Sequence, residues 1–217
     1  MINENLQEVR NALPQGVALV AVSKFKPSED ILEAYAAGQR LFAESRPQEL
    51  AEKAAALPKD IEWHFIGHLQ TNKLKMVLPY ATMIQSVDSR HLLDAIEKAC
   101  AAEGRCIDVL LEMHLGAEET KQGMPEEEIM DILFDAENYP HIRFRGLMGM
   151  ATNTPDAATV EADFSRIDSY MAYLVDTFPE LESFDQLSIG MSGDWPIAVR
   201  NGSTMVRIGT AIFGNRN

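Results

Sequence analysis

The stretch VALVAVSKFKPSEDILEAYAAG, from Val17 to Gly38, contains the structural unit that is repeated along the chain. Its six apolar residues in a row predict a strand over 17–23 that is buried on both faces. A helix is predicted from Ser28, where serine can cap free N–H groups, to Gly38, which can adopt the left-handed conformation. The unit is therefore a buried strand, a short loop that carries Lys24, and a helix.

The same unit recurs along the sequence, which has a helical pattern at its N-terminus. Further strands are predicted at 40–44, 62–67, 82–87, 107–114, 142–148, 185–191 and 204–208, and further helices at 89–103, 125–139 and 156–178. This alternation predicts an α/β fold with a parallel sheet covered by helices. Eight units favour a closed (β/α)8 barrel of the TIM type with an extra N-terminal helix. No linker or low-complexity tract divides the chain, so residues 1–217 are predicted to form a single domain.

Composition and charge narrow the possible functions. The net charge of −14 creates a field that repels nucleic acids and anionic lipid, so neither is expected as a partner. No apolar run approaches the length of a membrane span, and the N-terminus lacks an apolar signal core. Cys100 and Cys106 lack the spacing of a metal or redox motif and are interpreted as free thiols. These features predict a soluble cytoplasmic protein without a metal site.

Lys24 follows the first predicted strand and therefore lies at the C-terminal mouth of a barrel, where active sites are found. By strand alternation it shares a face with Val20 and Val22, so its amine would project into the top of the barrel. Desolvation there lowers a lysine pKa and suits the amine to imine formation with an aldehyde. The alternative is a solvated loop lysine, which is the interpretation given to Lys26.

The stretch SIGMSGDWPIAVRNGSTMVRIGTAIFG, 188–214, covers the last two strands and the loops after them. Met191 and Ser192 follow the seventh strand, and Gly209 and Thr210 follow the eighth and lead into a short helix. Glycines allow close approach of the backbone, and N–H groups and hydroxyls bind anions. The loops after strands seven and eight are the recurrent phosphate site of such barrels, although ordinary turns would also explain these residues.

Arg207 lies inside the last predicted strand, between two apolar residues. A buried arginine requires a partner, which is either a carboxylate or a ring nitrogen of a ligand. An imine-forming lysine, a phosphate site and a polar side chain facing a ring nitrogen together describe a site for pyridoxal 5′-phosphate (PLP).

Five stretches, AVSKFKP, WHFIGHLQTNK, GAEETKQG, RGLMGM and GSTMVRIGTAIFG, resemble the pyridoxal phosphate homeostasis protein family, in the same order and over nearly the whole chain. The resemblance implies a barrel similar to the N-terminal domain of alanine racemase, with PLP held as an imine on Lys24. It also implies a protein that buffers PLP or delivers it to PLP-dependent apo-enzymes and influences amino-acid and keto-acid balance. An isolated barrel of this kind is expected to be a monomer. Cofactor-binding residues implied by the motifs are Lys24, Met191, Ser192, Arg207, Gly209 and Thr210.

Two positions depart from the family pattern: Ser45 and His114 each stand where the family usually has asparagine. Contacts made by those asparagines are therefore not expected here.

The resemblance implies no robust turnover, and the residues suggest why. A protonated Arg207 would leave the ring nitrogen unprotonated. Because only seven residues follow Thr210 in the sequence, we expect no second domain that supplies a further acid or base. Two alternatives stay open. One is a small PLP-dependent racemase or lyase that uses Tyr80, His64 or His114 as proton donor. The other is a class I aldolase-type barrel that binds a sugar phosphate.

Overall fold

The computed structural model describes residues 1–116 and 122–214, and within them eight strands form a closed parallel barrel in chain order. The strands are β1 Ala18–Val22, β2 Leu41–Glu44, β3 Glu62–Phe65, β4 Ala81–Val87, β5 Ile107–Met113, β6 Ile142–Gly149, β7 Gln186–Ser188 and β8 Met205–Ile208. β1 pairs with β8 in parallel and closes the barrel, with Val20 opposite Arg207. The predicted (β/α)8 barrel is confirmed.

Helices alternate with the strands, and one precedes them. They are α1 Ile2–Ala12, α2 Ser28–Ala36, α3 Pro47–Ala56, α4 Leu74–Val77, α5 Arg90–Glu103, α6 Glu126–Phe134, α7 Ala157–Thr177, α8 Trp195–Arg200 and α9 Thr210–Phe213. The extra N-terminal helix α1 buries Ile2, Leu6 and Val9. Its Asn5 Nδ2 donates to the Ile212 carbonyl in α9 at 3.0 Å, which joins the two ends of the chain.

The ends of two helices test the predicted caps. Ser89 caps α5 by accepting a hydrogen bond from the Leu92 N–H at 3.3 Å, and Gly104 ends that helix in the left-handed conformation with φ 62°. The cap predicted at Ser28 is wrong: Ser28 is already the first helical residue, and the preceding Pro27 offers no side-chain oxygen. Proline provides φ near −69° there instead of a hydrogen bond.

Apolar side chains fill two layers, as strands buried on both faces require. The smaller layer lies inside the barrel and contains Val20, Val22, Ala43, Met83, Leu110, Met148 and Met205. The larger one lies between the sheet and the helices. Alternate residues of a strand therefore belong to different layers, and this alternation decides which polar side chains enter the barrel.

Two predictions are not tested by the described residues. Residues 117–121 of the charged loop at 116–123, interpreted from the sequence as a lid or a solvated connection, lie outside the described residues, as do 215–217. The assignment of 1–217 to one domain stays a prediction. Within the described ranges, none of the helices combines the length and apolar character that crossing a membrane requires.

Candidate functional site

A cavity of about 340 Å³ opens at the C-terminal ends of the strands, a size typical of small-molecule sites. All six residues predicted to bind the cofactor line it: Lys24, Met191, Ser192, Arg207, Gly209 and Thr210. The sequence separates Lys24 from the others by more than 160 residues, and barrel closure brings them together. The described residues that line this cavity include three cations and no carboxylate.

Lys24 lies two residues beyond β1, and its half-buried side chain lines the cavity next to Val22, as strand alternation predicts. The chain then turns sharply at Phe25, which has φ 64°. Lys26 also lines the cavity, and its Nζ donates to the Phe213 carbonyl at 2.9 Å. Its interpretation as a solvated loop lysine is therefore wrong, because the turn at Phe25 returns the next side chain to the barrel mouth.

The two glycine-containing loops after β7 and β8 form the opposite wall. Gly190 has φ 95°, and a Cβ there would lie 2.6 Å from the Ala198 Cβ, so a glycine is needed to bring this loop against α8. That turn ends β7 at Ser188, three residues earlier than predicted. Ser192 Oγ accepts from the N–H groups of Gly209 and Ala211 at 3.3 and 3.5 Å. These long contacts show backbone donors converging on one small region of the wall.

Arg207 extends from β8 into the barrel, and its guanidinium is buried. Its Nη1 donates to the carbonyl and hydroxyl oxygens of Ser188 at 2.6 and 2.7 Å, and its Nη2 donates to the Gly149 carbonyl at 2.9 Å. Neither partner is a carboxylate. Burial lowers the pKa of Arg207 to about 10, while the charges of Glu112 and Asp194 oppose the shift. The guanidinium therefore stays protonated at neutral pH.

A chain of buried polar side chains continues from Arg207 across the barrel. Ser188 Oγ donates to Gln85 Oε1 at 2.7 Å, and Gln85 Nε2 lies 2.7 Å from His64 Nδ1. Burial lowers the pKa of His64 to about 3, so its ring is neutral and Nδ1 can accept that hydrogen bond. Sequence reasoning noted His64 and missed Gln85. Both residues could have been recognised from the sequence, because each is a polar residue in an apolar strand. Each also occupies one of the alternate positions whose side chains face the inside of the barrel.

Glu112 is a second buried group that the sequence analysis missed. It shares its strand face with Leu110, which lies inside the barrel, and only 1% of it is exposed. Its Oε2 has no hydrogen-bond partner in the described structure. Burial, with a contribution from the charge of Asp88, raises the pKa of Glu112 to about 7, although Arg207 opposes this.

Behind β1, three charged side chains form what we call the Lys53 cluster: Lys53 of α3, Glu44 at the end of β2, and Glu49. Lys53 Nζ lies 2.7 Å from Glu44 Oε1 and 3.1 Å from Glu49 Oε2. Lys53 and Glu44 are 8% and 0% exposed. Burial raises the pKa of Glu44, and the hydrogen bonds from Lys53 and Ser23 offset part of this effect.

The proton donors considered for a racemase or lyase are not assembled together. Tyr80 precedes β4 and so lies at the end of the barrel opposite the cavity. His64 is part of the buried chain described above, and its neutral ring serves as an acceptor. His114 follows β5 at the cavity end, as Ser45 follows β2, and neither lines the described cavity. Among residues 1–116 and 122–214 no group of three or more His, Cys, Asp or Glu could hold a metal ion.

Comparisons with known proteins agree with this geometry. The sequence matches the family described as "Alanine racemase, N-terminal domain" over residues 1–217. A pyridoxal phosphate homeostasis protein of Pasteurella multocida is 38% identical over 229 aligned residues, covering 100% of this chain and 98% of that protein. The structure of PipY of Synechococcus elongatus without PLP superposes with a TM-score of 0.94 at 38% identity, covering 99% of this chain and 100% of PipY. PipY with PLP bound gives 0.90 at 37% identity and the same coverage.

Proposed function

Since the chain belongs to the family of pyridoxal phosphate homeostasis proteins, we propose that it binds PLP in the cavity at the mouth of the barrel and holds it as an intracellular reserve of the cofactor. One observation carries the proposal. A protein with a net charge of −14 places three cations, Lys24, Lys26 and Arg207, around one cavity whose described lining has no carboxylate. That lining is suited to an anionic ligand, and a primary amine within it is suited to an aldehyde.

The donors of this cavity fit the phosphate of PLP. The N–H groups of Gly209 and Ala211 make only long contacts with Ser192 Oγ, so they can turn to a stronger, anionic acceptor. A Cβ on Gly209 would lie 3.0 Å from the Val22 carbonyl oxygen, so the wall has little room for a larger residue there. Ser192 and Thr210 add hydroxyl donors, and Met191 lies beside them. These residues would hold the phosphate.

The remaining lining fits the ring and the aldehyde. Lys24 would attach covalently to the aldehyde, and Arg207 would face the pyridine nitrogen. Because its guanidinium stays protonated and has only donors, Arg207 would stabilise an unprotonated ring nitrogen. When bound, PLP supplies an electrophilic aldehyde and an electron-withdrawing ring. An unprotonated nitrogen weakens the second property, which supports a role in holding the cofactor rather than in rapid turnover.

The positions of other ionisable groups support the same role. A racemase or lyase needs a proton donor or acceptor beside the bound substrate in addition to the lysine. His64 is buried and tied to Gln85, and Tyr80 lies at the far end of the barrel. We therefore propose a PLP carrier whose turnover, if measured, is far below that of racemases. The proposal includes a cytoplasmic location, which the two free cysteines support. It also includes a monomeric state and the delivery of PLP to apo-enzymes.

The test is an absorption spectrum of the protein with PLP, before and after borohydride reduction. The wild-type protein and Lys98→Ala, a control at an exposed lysine, are expected to show a near-visible imine band. Reduction should leave a covalent adduct that peptide mapping places on Lys24. Lys24→Ala should lack both signals.

Other results would contradict the proposal in distinguishable ways. An adduct on Lys26 would contradict the assignment of Lys24. A wild-type protein that takes up no PLP would exclude a PLP reserve and leave the sugar-phosphate barrel to be tested. Racemase activity at ordinary enzymatic rates that is lost in Lys24→Ala would exclude a carrier role. Sedimentation and transfer of PLP to an apo-enzyme test the monomeric state and delivery.

A further inference from the structure

The Lys53 cluster contacts the backbone on both sides of Lys24. Lys53 Nζ donates to the Ser23 carbonyl at 2.9 Å, and Ser23 Oγ donates to Glu44 Oε1 at 2.7 Å. On the other side, the Phe25 N–H donates to Glu49 Oε2 at 2.9 Å. The peptide that carries Lys24 is therefore held from behind by α3 and β2, while its side chain faces the cavity.

The backbone at this position is strained. Phe25 has φ 64° and is the one non-glycine residue with positive φ among those that the structure describes. This conformation is unfavourable for a bulky side chain, and such strain persists only where the surroundings enforce it. The hydrogen bond to the Glu49 carboxylate supplies part of that enforcement, and the Arg46 guanidinium lies 4.3 Å from the centre of the Phe25 ring.

Burying charged side chains costs desolvation free energy, so charges alone are an inefficient way to stabilise a loop. Glu44 is fully buried, and its Oε2 lacks a hydrogen-bond partner in the described structure. Buried ion pairs seldom stabilise a fold more than apolar residues of similar size would. Burial alone would raise the pKa of Glu49, but hydrogen bonds from Phe25 and Lys53 outweigh it and lower that pKa. Glu49 is therefore ionised and strongly engaged with the loop.

We propose that the Lys53 cluster positions the amine of Lys24 for covalent attachment of the ligand. Its members act through the backbone of Ser23 and Phe25 and do not line the cavity. The proposal rests on the proposed function, that Lys24 attaches to the aldehyde of PLP. Glu44, Glu49 and Lys53 would thus promote formation of the covalent bond by positioning the amine. Other residues make the contacts with the phosphate and the ring.

The chemistry explains why position matters. The Lys24 nitrogen bonds to the aldehyde carbon, the C=O bond is replaced by C=N, and the oxygen leaves as water with the two amine protons. No oxidant or other co-reactant is needed. The loops after β7 and β8, together with Arg207, would hold the ligand on the opposite wall of the cavity. The Lys24 amine must therefore be held where it meets the aldehyde carbon. A fixed amine has a much higher effective concentration than a mobile one.

The experiment compares two ligands that differ only at the reacting carbon. PLP carries the aldehyde, and pyridoxine 5′-phosphate has the same ring and phosphate but carries an alcohol there. The variants are Glu49→Gln, which weakens the contact with the Phe25 N–H, and Lys53→Met, which removes the cluster's cation. Matched controls are Glu52→Gln and Lys98→Met, which change exposed side chains outside the cluster. Circular dichroism and thermal unfolding establish that each variant is folded.

We expect Glu49→Gln and Lys53→Met to bind PLP at least about 10-fold more weakly than wild type, with a slower rise of the imine band. Their affinity for pyridoxine 5′-phosphate should change less than about twofold, and the two controls should match wild type. In a Lys24→Ala background, Glu49→Gln should have no further effect on PLP affinity, since the attachment it serves is absent.

Three results would overturn the proposal. One is unchanged PLP affinity and imine formation in both folded variants. Another is an equal loss for the two ligands, which would mean that the cluster shapes the whole cavity. If Lys53→Met does not fold, the polar variant Glu49→Gln alone decides between these outcomes. The third is failure of wild type to attach PLP at Lys24, which removes the proposed function itself and is recognised before any variant is measured.

Discussion

The guanidinium of Arg207 donates to both oxygens of Ser188, the carbonyl at 2.6 Å and the hydroxyl at 2.7 Å. Ser188 in turn donates to Gln85, so one hydroxyl joins the cavity wall to the polar chain inside the barrel. The orientation of the only guanidinium in the described cavity lining therefore depends on a side chain that does not line it.

Ser188→Ala should lower the free energy of unfolding by about 2–3 kcal/mol. The substitution leaves an N–H of Arg207 and the Gln85 carbonyl oxygen buried without that partner, and unpaired buried polar groups cost more than a lost hydrogen bond. Urea unfolding measures the loss. The control is Ser86→Ala, whose hydroxyl makes one hydrogen bond to the Gly67 carbonyl and should cost about 1 kcal/mol. Equal losses would contradict the linking role of Ser188.

Gly190→Ala should destabilise the fold by about 2–4 kcal/mol, since it combines an unfavourable φ of 95° with a contact of 2.6 Å between the new Cβ and that of Ala198. Gly193→Ala, in the same loop, is the matched control: its Cβ would meet nothing within 4 Å, and its φ is not positive. The control should change thermal stability by less than about 0.5 kcal/mol. Similar unfolding temperatures for the two variants would contradict the assigned turn.

Much of the fold is predictable from the sequence because it depends on local patterns of residues. The periods of strands and helices are properties of short stretches, and counting the units then predicts the barrel. Most predicted strand ends lie within a few residues of the observed ones. Lys24 was placed correctly for the same reason: its parity with Val20 and Val22 and its position after the strand are readable without knowing any partner. Parity would also have placed Gln85 and Glu112 inside the barrel.

The rest of the site depends on contacts between distant residues. Gln85 and Ser188 are 103 positions apart, and nothing in either stretch identifies the other as its partner. Lys53 lies in an ordinary helical sequence, where an exposed lysine is expected, and its burial follows from the packing of α3 against β2 and β3. Lys26 was misplaced because its direction depends on the positive φ of Phe25, which the sequence of a non-glycine residue does not indicate.

Glu112 should make the stability of the protein depend on pH. Its folded pKa of about 7 lies above its usual value of 4.5, so the folded state binds this proton more tightly than the unfolded chain does. The associated stabilisation is fully present below pH 4.5 and is lost as the pH rises to about 7. Glu112→Gln should therefore exceed wild type by about 1–3 kcal/mol at pH 8 and match it near pH 4.5.

Urea unfolding of both proteins at several pH values measures this difference, in which contributions from other groups such as His64 cancel. Glu103→Gln, an exposed control with the same change of charge, should show no such trend. A Glu112→Gln protein that is less stable than wild type at pH 8 would show that the carboxylate stabilises Arg207 more than its burial costs.

Ser192→Ala should weaken PLP binding by about 10- to 100-fold, the loss expected for a hydrogen bond to a charged phosphate. Pyridoxal, which has the aldehyde and the ring but no phosphate, provides the control ligand, and its affinity should be nearly unchanged because Lys24 is still present. Fluorescence titration measures both affinities. Thermal unfolding should shift little, since Ser192 Oγ accepts only two long hydrogen bonds in the structure. If the variant loses affinity for pyridoxal as much as for PLP, Ser192 shapes the ring pocket, and the phosphate must bind elsewhere.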